Sequence, residues 1–402
     1  MKQCVVIGAA RTAIGGYLGS LKTEPEQRLA AAAIRTAIQR SGLDDKEVDQ
    51  VIMGNVAGVA PNVARVGLLL AGLPVETPGY SVDRQCGSGL QAAVNAAFEI
   101  GMGQAEVIVA GGAECMSRIP FYLPLSSRYE AYRMGDFQVL DGFMTKSANA
   151  QPPDQYPGLN MGITAENVAK KYGVSRRDQD DFALDSQRKA CAAIDAGSFE
   201  TEIFPYEVKR KKDSFVFAVD EFPRRDTAVE KLSRLRPAFL DGGTVTAGNS
   251  SGMNDGAAAL VIASEDRAAA DGSRRLARIL GAAVAGVDPA VMGLGPVPAI
   301  RKLLSAHDLA LKDIDLFEIN EAFAAQSLGV LKELGMAPGQ PLYDRVNVNG
   351  GAIALGHPLG CSGARILITL IHELRARKGQ YGVASLCIGG GQGIAVLVEN
   401  CG

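Results

Sequence analysis

The sequence predicts a layered α/β fold built twice over, with a long elaboration set between its core elements. Three observations carry this. Short apolar runs alternate with amphipathic stretches along most of the chain. Three segments also return in the same order. LDDKEVDQVIMGNVA, from Leu43, resembles LALKDIDLFEINEAFA, from Leu309; CGSGLQAAVNAAFEI, from Cys86, resembles GCSGARILITLIHEL, from Gly360; EVIVAGGAE, from Glu106, resembles VASLCIGGGQG, from Val383. Finally, the texture shifts over residues 119–242, where aromatics, prolines and charges become frequent. The physical reading is two copies of one βαβ-type layer, packed face to face. Cys86 and Gly360 then sit at equivalent helix starts, and their helices run side by side through the middle.

Taken in order, residues 4–9 form a continuous apolar run and read as a buried strand. Residues 26–41 are helical, with alanine-rich faces, and residues 51–55 are a second strand. A helix over residues 62–71 is stopped by Gly72 and Pro74. GYSVDRQ is extended, and after Cys86 the spacing of Leu90, Val94, Ala97 and Phe98 predicts a helix. A strand follows over residues 106–114. Inside the elaboration, helices are predicted over 164–172 and 177–196, the second capped by Ser175 with Asp178 three residues on. The basic run KRKK, residues 209–212, reads as a solvated turn. From residue 243, TVTAGNSSGMNDGAAALVIAS is a glycine-rich turn leading into a strand, and after Arg275 the second α/β run continues to the end. The predicted domains are residues 1–118 completed by 243–272, the lid-like segment 119–242, and residues 273–402.

Composition narrows the function. A chain of 402 residues, 47% hydrophobic and 21% charged, resembles an ordinary soluble enzyme of two or three domains. A net charge of -3 leaves no basic footprint for nucleic acid. Seven scattered cysteines with no CxxC pair argue against a disulfide framework and a zinc site, and for a reducing, cytoplasmic location. The apolar run at the N-terminus is too short for a signal peptide, and no run of about 18 apolar residues predicts a membrane span.

Cys86 is the first candidate for chemistry. At a helix start, unpaired amides and the helix dipole favour a thiolate, and the thiolate is the nucleophile. The alternative is a buried structural cysteine. Of the three histidines, His307 and His372 lie in amphipathic stretches and read as structural. His357 stands in the glycine-rich NVNGGAIALGHPLGCSGAR, just before the helix start that matches Cys86, where an imidazole can take a proton from a thiol. Cys387 ends a strand beside Gly389, Gly390 and Gly391; a thiol there can exchange a proton near an oxyanion, or be an inert buried cysteine. Asn320, at the end of another strand, can orient a water or the imidazole, and Glu321 can do likewise or cap the following helix.

The strings CGSG, GNSSGMNDGA, NEAFAAQ, NVNGGAIALGHPLGCSGAR and CIGGGQG match, in order and spacing, the thiolases. The resemblance covers essentially the whole chain. It implies a duplicated five-layer α/β/α/β/α fold with an inserted loop domain, which agrees with the repeat. It implies reversible Claisen condensation of two acetyl-CoA to acetoacetyl-CoA, or thiolysis of a 3-ketoacyl-CoA, through a Cys86 thioester. In that scheme His357 activates Cys86, and Cys387 protonates leaving CoA or takes the α-proton. Asn320 holds a water that forms one oxyanion hole with His357, and the amides of Cys86 and Gly389 form the other. For CoA the resemblance assigns Arg224 near the adenine, Ser251 on the pantetheine, Met161 and Phe323 along the tunnel, and Ala247 beside them. It implies no metal or organic cofactor, acetyl-CoA, 3-ketoacyl-CoA and CoA as partners, and a homotetramer or homodimer. The departure is Asn160, where many acetoacetyl-CoA thiolases carry histidine; it leaves chain length open between short-chain and longer-chain substrates. A decarboxylating condensing enzyme would lack Cys387, and a non-catalytic acyl-CoA carrier would need none of these residues.

Overall fold

The computed structural model describes residues 2–130 and 134–402. Its main feature is one ten-stranded sheet. The strand order is Gly79–Val82, Gln50–Gly54, Val107–Cys115, Asn254–Ser264, Cys4–Arg11, Ala277–Gly286, Gln392–Asn400, Tyr381–Ile388 and Leu316–Ile319, with the short Gly15–Gly16 beside Asn254–Ser264. The two sides follow one plan outward from the central pair, and Gly79–Val82 adds one further parallel strand to the first side alone. Moving outward from the middle on either side, the pairings are antiparallel, antiparallel, then parallel. Even the irregularities match: the register slips between Val6 and Gly8 on one side and between Ile279 and Gly281 on the other. The segments that repeat in the sequence occupy equivalent strands.

One expectation changes. The halves are not separate layers meeting only by their faces. Cys4, Val5 and Val6 pair with Ile279, Arg278 and Ala277, so backbone hydrogen bonds join the two half-sheets edge to edge. The sheet then wraps the helices Ser88–Gly101 and Leu359–Arg377, which pack against each other.

The side-chain alternation of the strands builds five layers. In Val107–Cys115, Val107, Val109 and Ala113 face outward onto Leu29, Ile34 and Leu68 of the helices Glu26–Ser41 and Val63–Ala71. Ile108 and Ala110 face inward onto Leu90, Val94 and Ile366 of the central pair. In Tyr381–Ile388, Val383 and Cys387 face an outer cluster with Ile300 and Leu328, while Ala384, Leu386 and Ile388 face the central pair. The start of Leu359–Arg377 comes this close to the strand Val107–Cys115 and to the other central helix because these contacts are built on glycine. A Cβ at Gly112 would stand 1.8 Å from the Gly360 carbonyl oxygen, and one at Gly89 would stand 2.6 Å from the same atom.

The inserted segment buries its apolar residues in the cores of both halves. Val168, Phe182 and Leu184 join the outer cluster of the second half; Ala190, Phe204 and Phe217 join that of the first. A buried ion cluster fastens it. Arg11 Nε donates to Glu202 at 2.7 Å, and its two other nitrogens donate to Asp220 at 2.8 and 3.0 Å. Such a cluster is tolerated because every charged group in it finds a partner. The helix expected over 164–172 starts earlier, as Met161–Tyr172, since the Asn160 side chain caps it by accepting from the Ile163 amide at 3.1 Å. Ser175 and Asp178 form the expected capping box on Arg176–Asp195. Of residues 209–212, all exposed, Lys209 ends a hairpin strand opposite Ser214 and the other three lie in the turn that follows. His307 stands just beyond its helix, Pro296–Ser305, rather than on it.

Candidate active site

Cys86 does not sit in a helical turn. The extended strand Gly79–Val82 ends in a bend, and the helix begins at Ser88. The bend is held by side chains: the Asp83 carboxylate accepts from the Gln85 amide at 2.8 Å, and Ser88 Oγ accepts from the Arg84 amide at 2.8 Å while donating to the Gln85 carbonyl at 2.6 Å. Gln85 is left at φ 46°, a conformation costly for a residue with a side chain and found preferentially at functional sites. The strain presents the Cys86 sulfur toward the second half of the chain. There the backbone N–H of Gly389 points at it, and the Cys86 and Cys387 thiols are close enough to repel as anions.

The ionisation of Cys86 overturns the sequence-based argument. Burial pushes the thiol up to about 11, and the amides of Gly389 and Cys86 offset this only in part. With its thiol near 11, about one molecule in 10⁴ carries a thiolate at pH 7. Proximity to a helix start is outweighed by desolvation. Cys387 is pushed higher still by burial and then by Cys86. The resting pair is therefore two neutral thiols.

Gly389 ends Tyr381–Ile388 at a turn where Gly390 and Gly391 adopt φ of 81° and 85°, which only glycine takes without strain. A Cβ at Gly389 would lie 3.6 Å from Met161 Sδ and 3.7 Å from Gln85 Cγ, so both halves and the inserted segment meet here.

His357 and Asn320 form a second group. Asn320 follows Leu316–Ile319, and its amide donates to the Ser385 carbonyl at 2.9 Å, two residues from Cys387. Its Nδ2 is 3.5 Å from His357 Nε2, and its buried Oδ1 has no hydrogen-bond partner among the described residues. A buried acceptor of this kind is normally met by water. The His357 amide donates to Asn254 Oδ1 at 2.9 Å, and His357 Nδ1 lies 2.6 Å from Ser362 Oγ. Burial, and then the Arg365 charge, pull the imidazole down to about 3. It is a neutral base at any physiological pH. Glu114 ties the two halves together beneath: its carboxylate accepts from the amides of Val56, Ala57 and Gly360 and from Asn55.

The residues assigned to CoA fall along one path. Arg224 and Ala247 line a pocket of about 170 Å³ with Phe222, Leu235 and Gly248. Ser250 pairs across to Phe323, and the Ser251 amide donates to the Ala322 carbonyl at 3.0 Å. The Phe323 ring meets Phe239 edge-on at 5.9 Å, and Phe239 covers Gly162, next to Met161. Contacts thus run from Gly389 through Met161, Phe239 and Phe323 to Ser250, three residues after Ala247 in the chain. Ser362, Asn254 and Phe239 are additions from the structure. Ser362 and Asn254 lie inside the motif strings, but nothing in their spacing says that they touch His357.

Relatives agree with this architecture. The family described as "Thiolase, N-terminal domain" matches residues 4–266, and "Thiolase, C-terminal domain" matches residues 273–400. The chain is 53% identical over 402 residues to an acetyl-CoA acetyltransferase of Escherichia coli (strain K12), covering 100% of both. Among solved structures, the acetyl-CoA acetyltransferase of Bacillus anthracis is 45% identical with a TM-score of 0.94, covering 100% of this chain and 99% of that one. Human mitochondrial 3-ketoacyl-CoA thiolase in complex with CoA is 44% identical with a TM-score of 0.92, covering 100% and 98%. With both halves matched, and the sheet, the strained cysteine bend and the histidine turn in place, the chain belongs to the thiolase family.

Proposed function

We propose that this protein is an acetyl-CoA C-acetyltransferase, a thiolase that condenses two acetyl-CoA to acetoacetyl-CoA plus CoA and runs the reverse thiolysis. The observation that carries the reading is the Cys86 sulfur, held by a strained bend against the Gly389 amide and beside the Cys387 thiol. His357 Nε2 takes the Cys86 proton as the sulfur attacks the thioester carbonyl. The amides of Cys86 and Gly389 hold the developing oxyanion of one step; a water on Asn320, with His357, holds that of the other. CoA sulfur leaves with its electron pair and takes the Cys387 proton, giving acetyl-Cys86 and free CoA. The Cys387 thiolate then removes an α-proton from the second acetyl-CoA. The resulting enolate attacks acetyl-Cys86, and the Cys86 sulfur leaves and regains a proton from His357. Because both thiols rest protonated, attack and deprotonation occur together, and no standing thiolate is exposed to side reactions.

Arg224, Ala247, Ser251, Met161 and Phe323 bind CoA in this reading. Short-chain substrates are favoured because Ala150, Met161 and Gln85 stand close around Gly389, 3.6 to 3.7 Å from where a Cβ there would lie. A cytoplasmic homo-oligomer belongs to the same reading. Seven free cysteines support the location. The strand Gly79–Val82 ends the sheet with Leu69 and Leu70 exposed nearby, which supports association. No helix among the described residues is long and apolar enough to cross a membrane.

Two measurements test this. Incubation with acetyl-CoA followed by peptide mass mapping places an acetyl group on Cys86; an unmodified Cys86 with intact turnover refutes the mechanism. Thiolysis rates on four-carbon and eight-carbon 3-ketoacyl-CoAs fall with length; a rise assigns the protein to longer-chain breakdown instead.

A further inference from the structure

At the far end of the helix Leu359–Arg377 lies an open pocket of about 750 Å³ whose lining includes Arg274, His372, Arg375 and Lys378, and no acidic side chain. Arg274, Arg375 and Lys378 form no ion pair with a side chain among the described residues. Arg375 donates to the carbonyl oxygens of Arg275 and Leu276 at 3.2 and 3.1 Å. Arg40, outside the lining but close to His372 and Glu202, donates to the carbonyls of Ala9, Thr201, Glu202 and Ile203. Neighbouring Arg275 and Arg377 are paired with Glu265 and Glu373, but no ion pair involves Arg40, Arg274, Arg375 or Lys378 among the described residues. His372 Nδ1 meets Thr201 Oγ1 at 3.2 Å, and its buried Nε2 has no hydrogen-bond partner among the described residues. The helix C-terminus contributes about half a negative charge, too little to balance three cations. Unpaired cations around a buried, unpartnered nitrogen lack one component, an anion.

We propose that this pocket binds a phosphate-class oxyanion, a tetrahedral dianion held by Arg274, Arg375 and Lys378. His372 reports its arrival. In the free protein burial, and then Arg40, Arg375, Arg11 and Arg274, pull this imidazole down to about 4. The nearby carboxylate, Glu202, is engaged with Arg11 and Thr369. A bound dianion reverses the local field, so the imidazole takes up a proton and Nε2 becomes a donor. Uptake on binding means that affinity rises as pH falls.

The test is isothermal titration of the full-length protein with sulfate and with inorganic phosphate, in buffers of different ionisation enthalpy. Sulfate keeps its charge throughout, so its pH dependence belongs to the protein. The expected result is saturable binding, tighter at about pH 6 than at about pH 8, with proton uptake that disappears in His372→Asn. The exposed double variant Arg274→Ser/Lys378→Ser weakens binding by about tenfold or more while its thiolysis rate is unchanged. Absence of saturable binding, or equal affinity in the double variant, overturns the site. Unaltered proton uptake in His372→Asn overturns the role of His372.

Discussion

Ser362 Oγ lies 2.6 Å from His357 Nδ1 and also 2.8 Å from the Pro358 carbonyl oxygen. A hydroxyl has one proton, and the carbonyl can only accept it. Ser362 therefore donates to Pro358 and accepts from His357, which fixes the imidazole with its proton on Nδ1 and a bare lone pair on Nε2. That lone pair is the base of the proposed reaction. A first-turn helix residue thus sets the protonation geometry of a residue outside the helix.

Ser362→Ala removes this constraint and lets the unreactive tautomer compete. The expected result is a fall in kcat of about 10- to 100-fold with KM little changed. Steady-state thiolysis checks it, with circular dichroism to confirm folding. A KM effect with unaltered kcat assigns Ser362 to substrate binding instead.

Cys86 is a neutral thiol in the resting enzyme, with its ionisation raised to about 11 by burial. Alkylation of the free enzyme by iodoacetamide is expected to climb about tenfold per pH unit from about pH 7 to about pH 10. Peptide mapping assigns the label, and acetyl-CoA slows it. A plateau near pH 7 would mean that His357 already holds the proton.

His357 gives the fold a pH dependence of definite sign. Its imidazole is charged below about 6.5 when unfolded but stays neutral in the folded site down to about 3. The unfolded chain binds the extra proton, so stability present above about 6.5 is lost as pH falls toward 3. The slope of urea-unfolding free energy between about pH 6.5 and about pH 4.5 is expected to lose about one proton's worth in His357→Gln. An identical slope in the variant removes His357 as the source.

The pocket of about 170 Å³ that holds Arg224 and Ala247 is small enough to block. Ala247→Trp, on an exposed position, fills it without touching the core. KM for CoA is expected to rise about tenfold while kcat holds, because the binding lost is equal in ground and transition states. Arg224→Ala raises it less, since the guanidinium is solvent-exposed. An unchanged KM in Ala247→Trp moves CoA elsewhere.

Much of this was legible in residues alone. The repeat pairs marked Gln50–Gly54 with Leu316–Ile319 and Val107–Cys115 with Tyr381–Ile388 as equivalent strands, and the sheet order agrees. The cap at Ser175 and the stop at Gly72 bounded their helices, because capping depends on neighbours within one turn, whereas Asn62, read as helical, proved to be the cap of Val63–Ala71. The residues named for chemistry came from motif strings, and the fold brings Cys86 to Gly389 and His357 to Asn320 from positions far apart in the chain.

What local pattern determined, then, was the doubled α/β architecture and which residues are the candidates for chemistry. What tertiary structure alone decided was their state. Desolvation at Cys86 overrides the helix that follows it, and burial beside Arg365 keeps His357 neutral. The seam from Cys4 to Ile279 and the glycine contact of Gly112 with Gly360 were equally out of reach. Periodicity and capping arise from neighbours along the chain, whereas burial, field and close approach are set by groups that only folding brings together.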